Sequence, residues 1–477
     1  MVRNHSGAQA SDYRWMLLVL LVCIEAFVVL RWSHLSEIAL ANGDDIEYHN
    51  LAVNLIQSHR FSAAAGPPFE LTASKPPGYP LFLAFAYSIS GYSFAFLRVC
   101  QFTLLAAASV LLYATAKEVV DKQSALITGL WCATYPAFWG MALRHMTEIL
   151  SVFLMTAFVW LLTRAMRQSS LPSLDYSSVG IALAASVLVR ASFALLLLPT
   201  AALLVRNDER GFRGRRRPLL FLVLSFCLAV APWIARNTIQ THAFIPLGTS
   251  SGMSLYTSVM QYKGVLSGKM DFHDWQHWLP QASMILSRAS VAVKPGNYDQ
   301  HLMAEVQEDK EFKLEAIHQL RSLTLLQLLR SVPTRLAGFW GVADFSPLAM
   351  TRFHRVVQFH YAFTVILILT GIYLSRSNLR QHLCFWLVPV YLMALHSIFH
   401  SETRYSLPAR QFLFLYVGVA LSTAISWIGS LSVRRRSATQ CSARYPGVND
   451  GHVRETSVIS EGRLQRAADS TTGTEKT

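Results

Sequence analysis

The sequence predicts an all-α protein that crosses a membrane about ten times, and three observations carry that fold class. Of 477 residues, 52% are hydrophobic and only 15% charged, against about 25% charged in an ordinary soluble chain. The mean hydropathy is +0.33, and the apolar residues come in uninterrupted blocks approaching the roughly twenty residues that a spanning helix needs. The basic residues behind the net charge of +14 gather in short loops between those blocks, as in loops retained on the cytoplasmic side. This distribution needs no nucleic-acid partner.

The first block, residues 15–32, follows a short basic start and lacks a small-x-small cleavage site. It is therefore expected to remain as the first span. Further spans are expected at 98–116, 124–141, 149–163, 178–189, 191–205, 219–235, 356–375, 383–399 and 411–428. The stretch "GYPLFLAFAYSISG" (78–91) is too short to join them. If it does not cross, Lys117 and Lys122, Arg164 and Arg167, the string "RNDERGFRGRRR" (206–217), Arg376 and Arg380, and Arg434–Arg436 all fall on the side of the N-terminus. If it crosses, every one of those loops turns outward, against the positive-inside tendency. It is therefore expected to lie on, or re-enter from, the outer face. Both termini are then cytoplasmic, in a plasma (inner) membrane.

The outer face gains two large pieces, a first loop (33–97) and a long segment (236–355). The first loop opens with "GDDIEYHNLAVNLIQSHRF", an expected surface helix whose Tyr48, Leu51 and Leu55 share one face. In the long segment, 298–322 has helical periodicity through Leu302, Val306, Phe312, Ile317 and Leu320. Asp271, His273, Asp274 and Trp275 read either as an acceptor groove or as interfacial anchors. Residues 1–432 form one transmembrane domain on this reading. The polar segment 433–477 is expected to be a disordered cytoplasmic tail. Five cysteines lie in apolar runs and Cys441 in the tail, with neither disulfide-framework nor zinc-site spacing.

Ionisable groups at membrane level are costly and usually functional, and the outer face is expected to carry Asp44, Asp45, Lys75, His145, Glu148, Arg236, Glu402, Arg404 and Tyr405, together with the amide of Asn237. Each also has a plainer reading. Asp44 and Asp45 sit where a helix dipole favours acids. Lys75, before Pro76 and Pro77, is either a rigidly presented phosphate ligand or a lysine among lipid headgroups. Arg236 and Asn237 suit headgroup anchors, and Glu402 with Arg404 suits a local ion pair.

These stretches carry a family resemblance. "GDDIEYHNLAVNL…SKPPGYPLFLAF" resembles the first outer loop of glycosyltransferase family 39 and its bacterial relatives, including the protein O-mannosyltransferases and the aminoarabinose lipid A transferases. "RHMTEILSVFLMTAFVWLLTRA" (144–165) resembles their second outer loop. "PWIARNTIQTHAFIPLGTSSGMSLY" (232–256) and "ETRYSLPARQFLFLY" (402–416) are similar to later stretches of the bacterial members. The resemblance implies a GT-C-type arrangement of spans, with outer amphipathic helices. It also implies transfer of a sugar, with inversion, from a polyprenyl phosphate to an acceptor on the outer face.

By position, Asp44 matches the catalytic acid, Asp45 its acidic neighbour, Glu148 the second-loop acid, and Lys75 the base near the donor phosphate. Arg236 and Arg404 are candidates to join Lys75 there, and Tyr48, His145, Asn237 and Tyr405 to line the substrate. Two positions depart from the pattern: Glu47 precedes Tyr48 where the aminoarabinose transferases carry a basic residue, and position 148 is Glu where several relatives carry Asp.

Displacement at an anomeric carbon needs a base for the incoming hydroxyl, which Asp44 can supply. It also needs cations for a departing phosphate, which Lys75 and the arginines can supply. No cofactor is expected, although some GT-C enzymes use a divalent cation and a metal stays open as the less favoured reading. A monophosphate leaving group met by Lys and Arg needs a metal less than a diphosphate does, and His49, His145, His273 and His277 show no ligand spacing. The expected partners are the bilayer, a polyprenyl-phosphate-linked sugar, and a glycolipid, polysaccharide or protein acceptor. Two other readings stay open: a GT-C ligase using a diphosphate-linked oligosaccharide, and a transporter or flippase, for which Glu25 and Arg190 would be the in-span charges.

Overall fold

A computed structural model describes residues 43–167, 172–206, 211–267, 279–292, 300–341 and 354–444. Every regular element among them is helical. The first, α1 (Gly43–Gln57), leads through an irregular stretch to α2 (Gly78–Ser90). Then come α3 (Phe94–Ala116), α4 (Lys122–Ala133), α5 (Pro136–Ala142), α6 (Glu148–Arg167) and α7 (Pro172–Val189). A 3-10 turn (Ala191–Leu196) precedes α8 (Leu197–Arg206) and α9 (Gly211–Thr241). The long segment expected outside holds α10 (Ser251–Leu266), α11 (Leu279–Ala292), α12 (Gln300–Arg321) and α13 (Leu325–Phe339). The chain continues through α14 (His354–Leu374), a 3-10 turn (Leu379–His382), α15 (Leu383–Ile398), a 3-10 turn (Thr403–Ser406) and α16 (Leu407–Arg444).

Six helical stretches among the described residues are long and apolar enough to cross a membrane: Phe94–Ala116, Glu148–Arg167, Arg216–Thr241, Arg355–Leu374, Leu379–Ile398 and Thr403–Leu431. Two apolar stretches, Leu174–Val189 and Ala191–Arg206, are shorter, and the expected span 15–32 lies outside the described residues. The expected single span 124–141 needs correction, because α4 stops at Ala133 and α5 restarts at Pro136. Proline lacks an N–H and disfavours helical backbone in the residue before it, and Tyr135 is accordingly extended (φ −71°, ψ 116°). Helix α2 has 13 residues, about 20 Å of rise against a hydrocarbon core of about 30 Å.

Local caps follow the sequence. Asp121 accepts from the backbone N–H of Gln123 and Ser124, both at 3.0 Å, to start α4, and Thr324 with Gln327 forms a capping box on α13.

The chain divides into two units, residues 1–421 and 422–477. In the first, the main core joins α3 to α7 with α15 and the start of α16 through Leu105, Phe138, Phe158, Phe193, Phe385 and Phe412. Glycines let helices approach closely: a Cβ on Gly418 would collide with the Ser124 backbone of α4, and one on Gly371 of α14 with the Tyr416 backbone. A second cluster packs Tyr48 and Leu51 of α1 against Tyr79, Leu83, Leu97 and Leu150. The apolar face of α1, expected at the membrane surface, is thus covered by the protein's own helices. A third cluster (Tyr256, Val259, Ile285, Phe312, Ala316) joins α10, α11 and α12. The periodic stretch 298–322 is α12, with Leu302 and Phe312 buried but Ile317 exposed. Among the described residues the second unit is helical through Arg444, so 433–444 of the expected tail are helix; 445–477 lie outside the described residues.

Candidate active site

Successive residues of a helix are about 100° apart, so side chains three and four positions apart share a face and adjacent ones do not. Asp44, Glu47 and Tyr48 therefore face one way from α1, and Asp45 with His49 another. The adjacent acids part company. Asp44 meets Lys75 Nζ at 3.0 Å and Arg404 Nη2 at 2.9 Å, whereas Asp45, almost fully buried, takes Arg144 Nη2 at 2.7 Å.

Lys75 lies between α1 and α2, 3.2 Å from Glu47 and 5.6 Å from the centre of the Tyr48 ring. Glu47, the departure at that position, is thus a second acid on Lys75, steadied by the Ser74 hydroxyl at 2.6 Å. Arg404 comes from the 3-10 turn before α16. Its Nε donates to Glu402 at 2.6 Å, and the other Glu402 oxygen is 2.7 Å from His400 Nε2. An unbroken chain of contacts thus runs from the His400 ring through the charged groups of Glu402, Arg404, Asp44 and Lys75 to Glu47. Beside it, Glu148 at the start of α6 pairs with Arg190 at 3.2 Å. The Tyr405 ring lies under both Arg190 (4.7 Å) and Arg404 (5.3 Å).

The electrostatics follow from burial and these neighbours. Burial alone would raise the Asp44 carboxyl, but Lys75 and Arg404 outweigh it and hold it down at about 2. Burial would lower the Lys75 ammonium, but Tyr48, Asp44 and Glu47 keep it well above its ordinary value. Glu402 is likewise held below its usual range, its burial overcome by Arg404 and His400. Burial pushes the Tyr48 phenol up to about 12.

Of the expected site residues, Asp44, Lys75, Arg404, Tyr48, Tyr405 and Glu148 meet here. Three others are placed elsewhere. Arg236 donates to Thr72 O at 2.9 Å and to Asn237 at 3.0 Å, over the rings of Phe61 and Trp233. It braces the strand of chain leading to Lys75 and makes no contact with the charged chain. Asn237 is buried and donates to Ile245 O at 3.2 Å. His145 sits among Phe94 (4.6 Å), His49 (6.1 Å) and Tyr87 (6.5 Å), where burial, aided by His49, Arg98 and Arg144, pushes its imidazole down to about 3. Asp271, His273, Asp274, Trp275 and His277 lie outside the described residues.

The sequence reading did not single out Glu305 of α12. Its carboxylate accepts from the Thr72 hydroxyl (2.5 Å) and the Ala73 N–H (3.0 Å), two to three residues ahead of Lys75, and from the Thr249 hydroxyl (3.2 Å). Arg190 carried a signal, a lone arginine where two apolar segments meet, but its partner Glu148 is 42 residues away. Among the described residues no three His, Cys, Asp or Glu side chains are placed to hold a metal ion, and Asp44, Glu47 and Glu402 each already engage a cation.

Residues 74–235 match the family model described as dolichyl-phosphate-mannose-protein mannosyltransferase. That stretch includes Lys75, Glu148 and Arg190. The solved oligosaccharyltransferase AglB of the archaeon Archaeoglobus fulgidus, in complex with an inhibitory peptide and a dolichol-phosphate, shares the fold. It is 13% identical with a TM-score of 0.50, over 95% of this chain and 54% of that one. The same organism's oligosaccharyltransferase in the apo form gives 14% and 0.52, over 90% and 52%. The chain is thus similar to that mannosyltransferase family over residues 74–235 and shares the fold of those archaeal oligosaccharyltransferases. The chain spans about half the length of those archaeal proteins. ArnT from Cupriavidus metallidurans bound to undecaprenyl phosphate is 16% identical with a TM-score of 0.41, over 86% of this chain and 78% of that one. No curated protein matches the chain significantly by sequence.

Proposed function

We propose that the chain is an inverting glycosyltransferase that moves a monosaccharide from a polyprenyl phosphate to a glycolipid, polysaccharide or protein acceptor. The reaction would take place on the extracytoplasmic face of the plasma membrane. One observation carries the reading: the Asp44 carboxylate lies within hydrogen-bond reach of two cations, Lys75 and Arg404. In this reading the donor phosphate takes over Lys75 and Arg404, and freed Asp44 accepts the acceptor's hydroxyl proton. The acceptor oxygen bonds to the anomeric carbon as the bond from that carbon to the phosphate oxygen breaks. The electron pair leaves on the phosphate, where the two cations meet it. Glu47 and Glu402 hold the cations in place, and Glu148, through Arg190 and the Tyr405 ring, backs Arg404. Asp45, bound to Arg144, fixes the start of α1. The family match to proteins described as using dolichyl-phosphate mannose supports the donor class.

The fold shared with the archaeal oligosaccharyltransferases favours one second reading, a ligase taking a diphosphate-linked oligosaccharide. Purified chain is given synthetic polyprenyl monophosphate and diphosphate sugars, with and without EDTA, and the product's anomeric configuration is read. Transfer from the monophosphate donor, inverted, insensitive to EDTA and abolished by Asp44→Asn, is the expected result. Transfer from diphosphate donors alone, or undiminished transfer by Asp44→Asn, overturns it.

A further inference from the structure

We propose that a second, non-catalytic site at the opposite end of α6 binds the phosphate headgroup of an anionic membrane lipid. There the structure holds a cavity of about 190 Å³, with Arg167, Arg380, Gln381 and Thr163 as its polar lining and Met166 and Leu383 among its apolar walls. Arg167 is the last residue of α6, and Glu148 of the candidate active site is the first. Nineteen steps of helix separate them, about 28 Å, close to the thickness of a bilayer's hydrocarbon core. The cavity therefore falls at the headgroup level of the leaflet opposite the active site.

Its charge suits an anion. Arg380, in the turn Leu379–His382, makes no ion pair among the described residues. Arg167 pairs with Glu118 at 3.2 Å, but both side chains are nearly half exposed (43% and 45%), and exposed pairs of this kind are weak and exchange readily. Two arginines over one cavity present planar donor forks that match phosphate oxygens. The Met166 and Leu383 walls suit the glycerol and first acyl carbons, and basic pockets between membrane helices bind acidic headgroups in this way. The site is independent of the transfer chemistry and of the donor.

Native mass spectrometry of the full chain with phosphatidylglycerol and with phosphatidylcholine tests it, beside Arg380→Gln, the double variant Arg167→Gln/Arg380→Gln, and a control. The control is Arg376→Gln, whose guanidinium stacks on Tyr373 outside the cavity. One phosphatidylglycerol should bind in preference to phosphatidylcholine, and the double variant should weaken it by about thirtyfold, the loss expected for two basic groups near a membrane surface. Arg376→Gln should leave binding unchanged, and equal melting temperatures would show that all variants are folded. Undiminished phosphatidylglycerol binding by the folded double variant overturns the proposal. So does a melting shift given as fully by inorganic phosphate, with no preference between the two lipids.

Discussion

At the scale of single residues, the site presents a conflict. A carboxylate held at about 2 is a feeble base, since proton-accepting power falls with pKa. The same two cations that depress Asp44 are those a phosphate would claim, so donor binding as proposed would restore its basicity. Asp44→Asn should lower transfer by about 10²–10⁴-fold, the usual worth of a general base, in a chain that still folds but melts at a lower temperature because two cations lose their carboxylate. Because Asp44 lies below its unfolded value of about 4, its contribution to stability is in place above that pH and is lost as pH falls through about 2. Removing one cation lifts it: in Arg404→Gln the acid limb of the kcat/KM profile should move to higher pH. A limb that stays put would mean that another group sets it. Asp44, Lys75 and Arg404 were legible in the sequence because costly charges at span ends stand out. The divergence of Asp45 was legible only as a helix angle, and its partner Arg144, 99 residues away, was not.

At the scale of elements, α12 reaches across from the long segment 236–355 to hold the approach to Lys75. Glu305 accepts three hydrogen bonds there, and Arg236 ties Thr72 from the other side. Hydrogen bonds to a charged group contribute about 1.5–3 kcal/mol, so Glu305→Ala should cost about tenfold to a hundredfold in transfer by misplacing Lys75. Faster proteolysis within residues 60–75 should accompany that loss; unchanged cleavage would separate Glu305 from the loop. The period of α12 could be read from Leu302 and Phe312, but Glu305 looked like one more surface acid, since periodicity carries no information on what packs across. The Pro136 break was written in the sequence and was masked by the apolar residues on both sides of it. Helix contacts through glycine admit a sharper test. Gly418→Leu should destabilise by at least the 1–3 kcal/mol typical of overpacking, seen as a lower melting temperature in detergent.

At the scale of the whole chain, the hydropathy blocks and loop charges revealed that the protein is helical and spans a membrane many times. The exact count was less legible, because two apolar stretches fall short of spanning length and one is broken. The sidedness argued from loop charge has its own test. With native cysteines replaced, a cysteine at exposed Gln57 should react with an impermeant maleimide on intact cells, and one at exposed Asn378 only after permeabilisation. Labelling of both from outside would reverse the scheme. Arg190, one of two in-span charges that would have suited a transporter, instead completes the charged site through Glu148 and Tyr405.

The contact of Asp44 with both Lys75 and Arg404 bears on how a reaction cycle ends. A spent lipid carrier and the enzyme's own carboxylate would want the same two hands. On the proposed reaction, Asp44 would become a tethered rival that no dilution can remove once it shed its acquired proton, and it would help to evict the carrier. Turnover would then be limited less by how tightly the carrier is gripped than by how quickly that proton escapes to water.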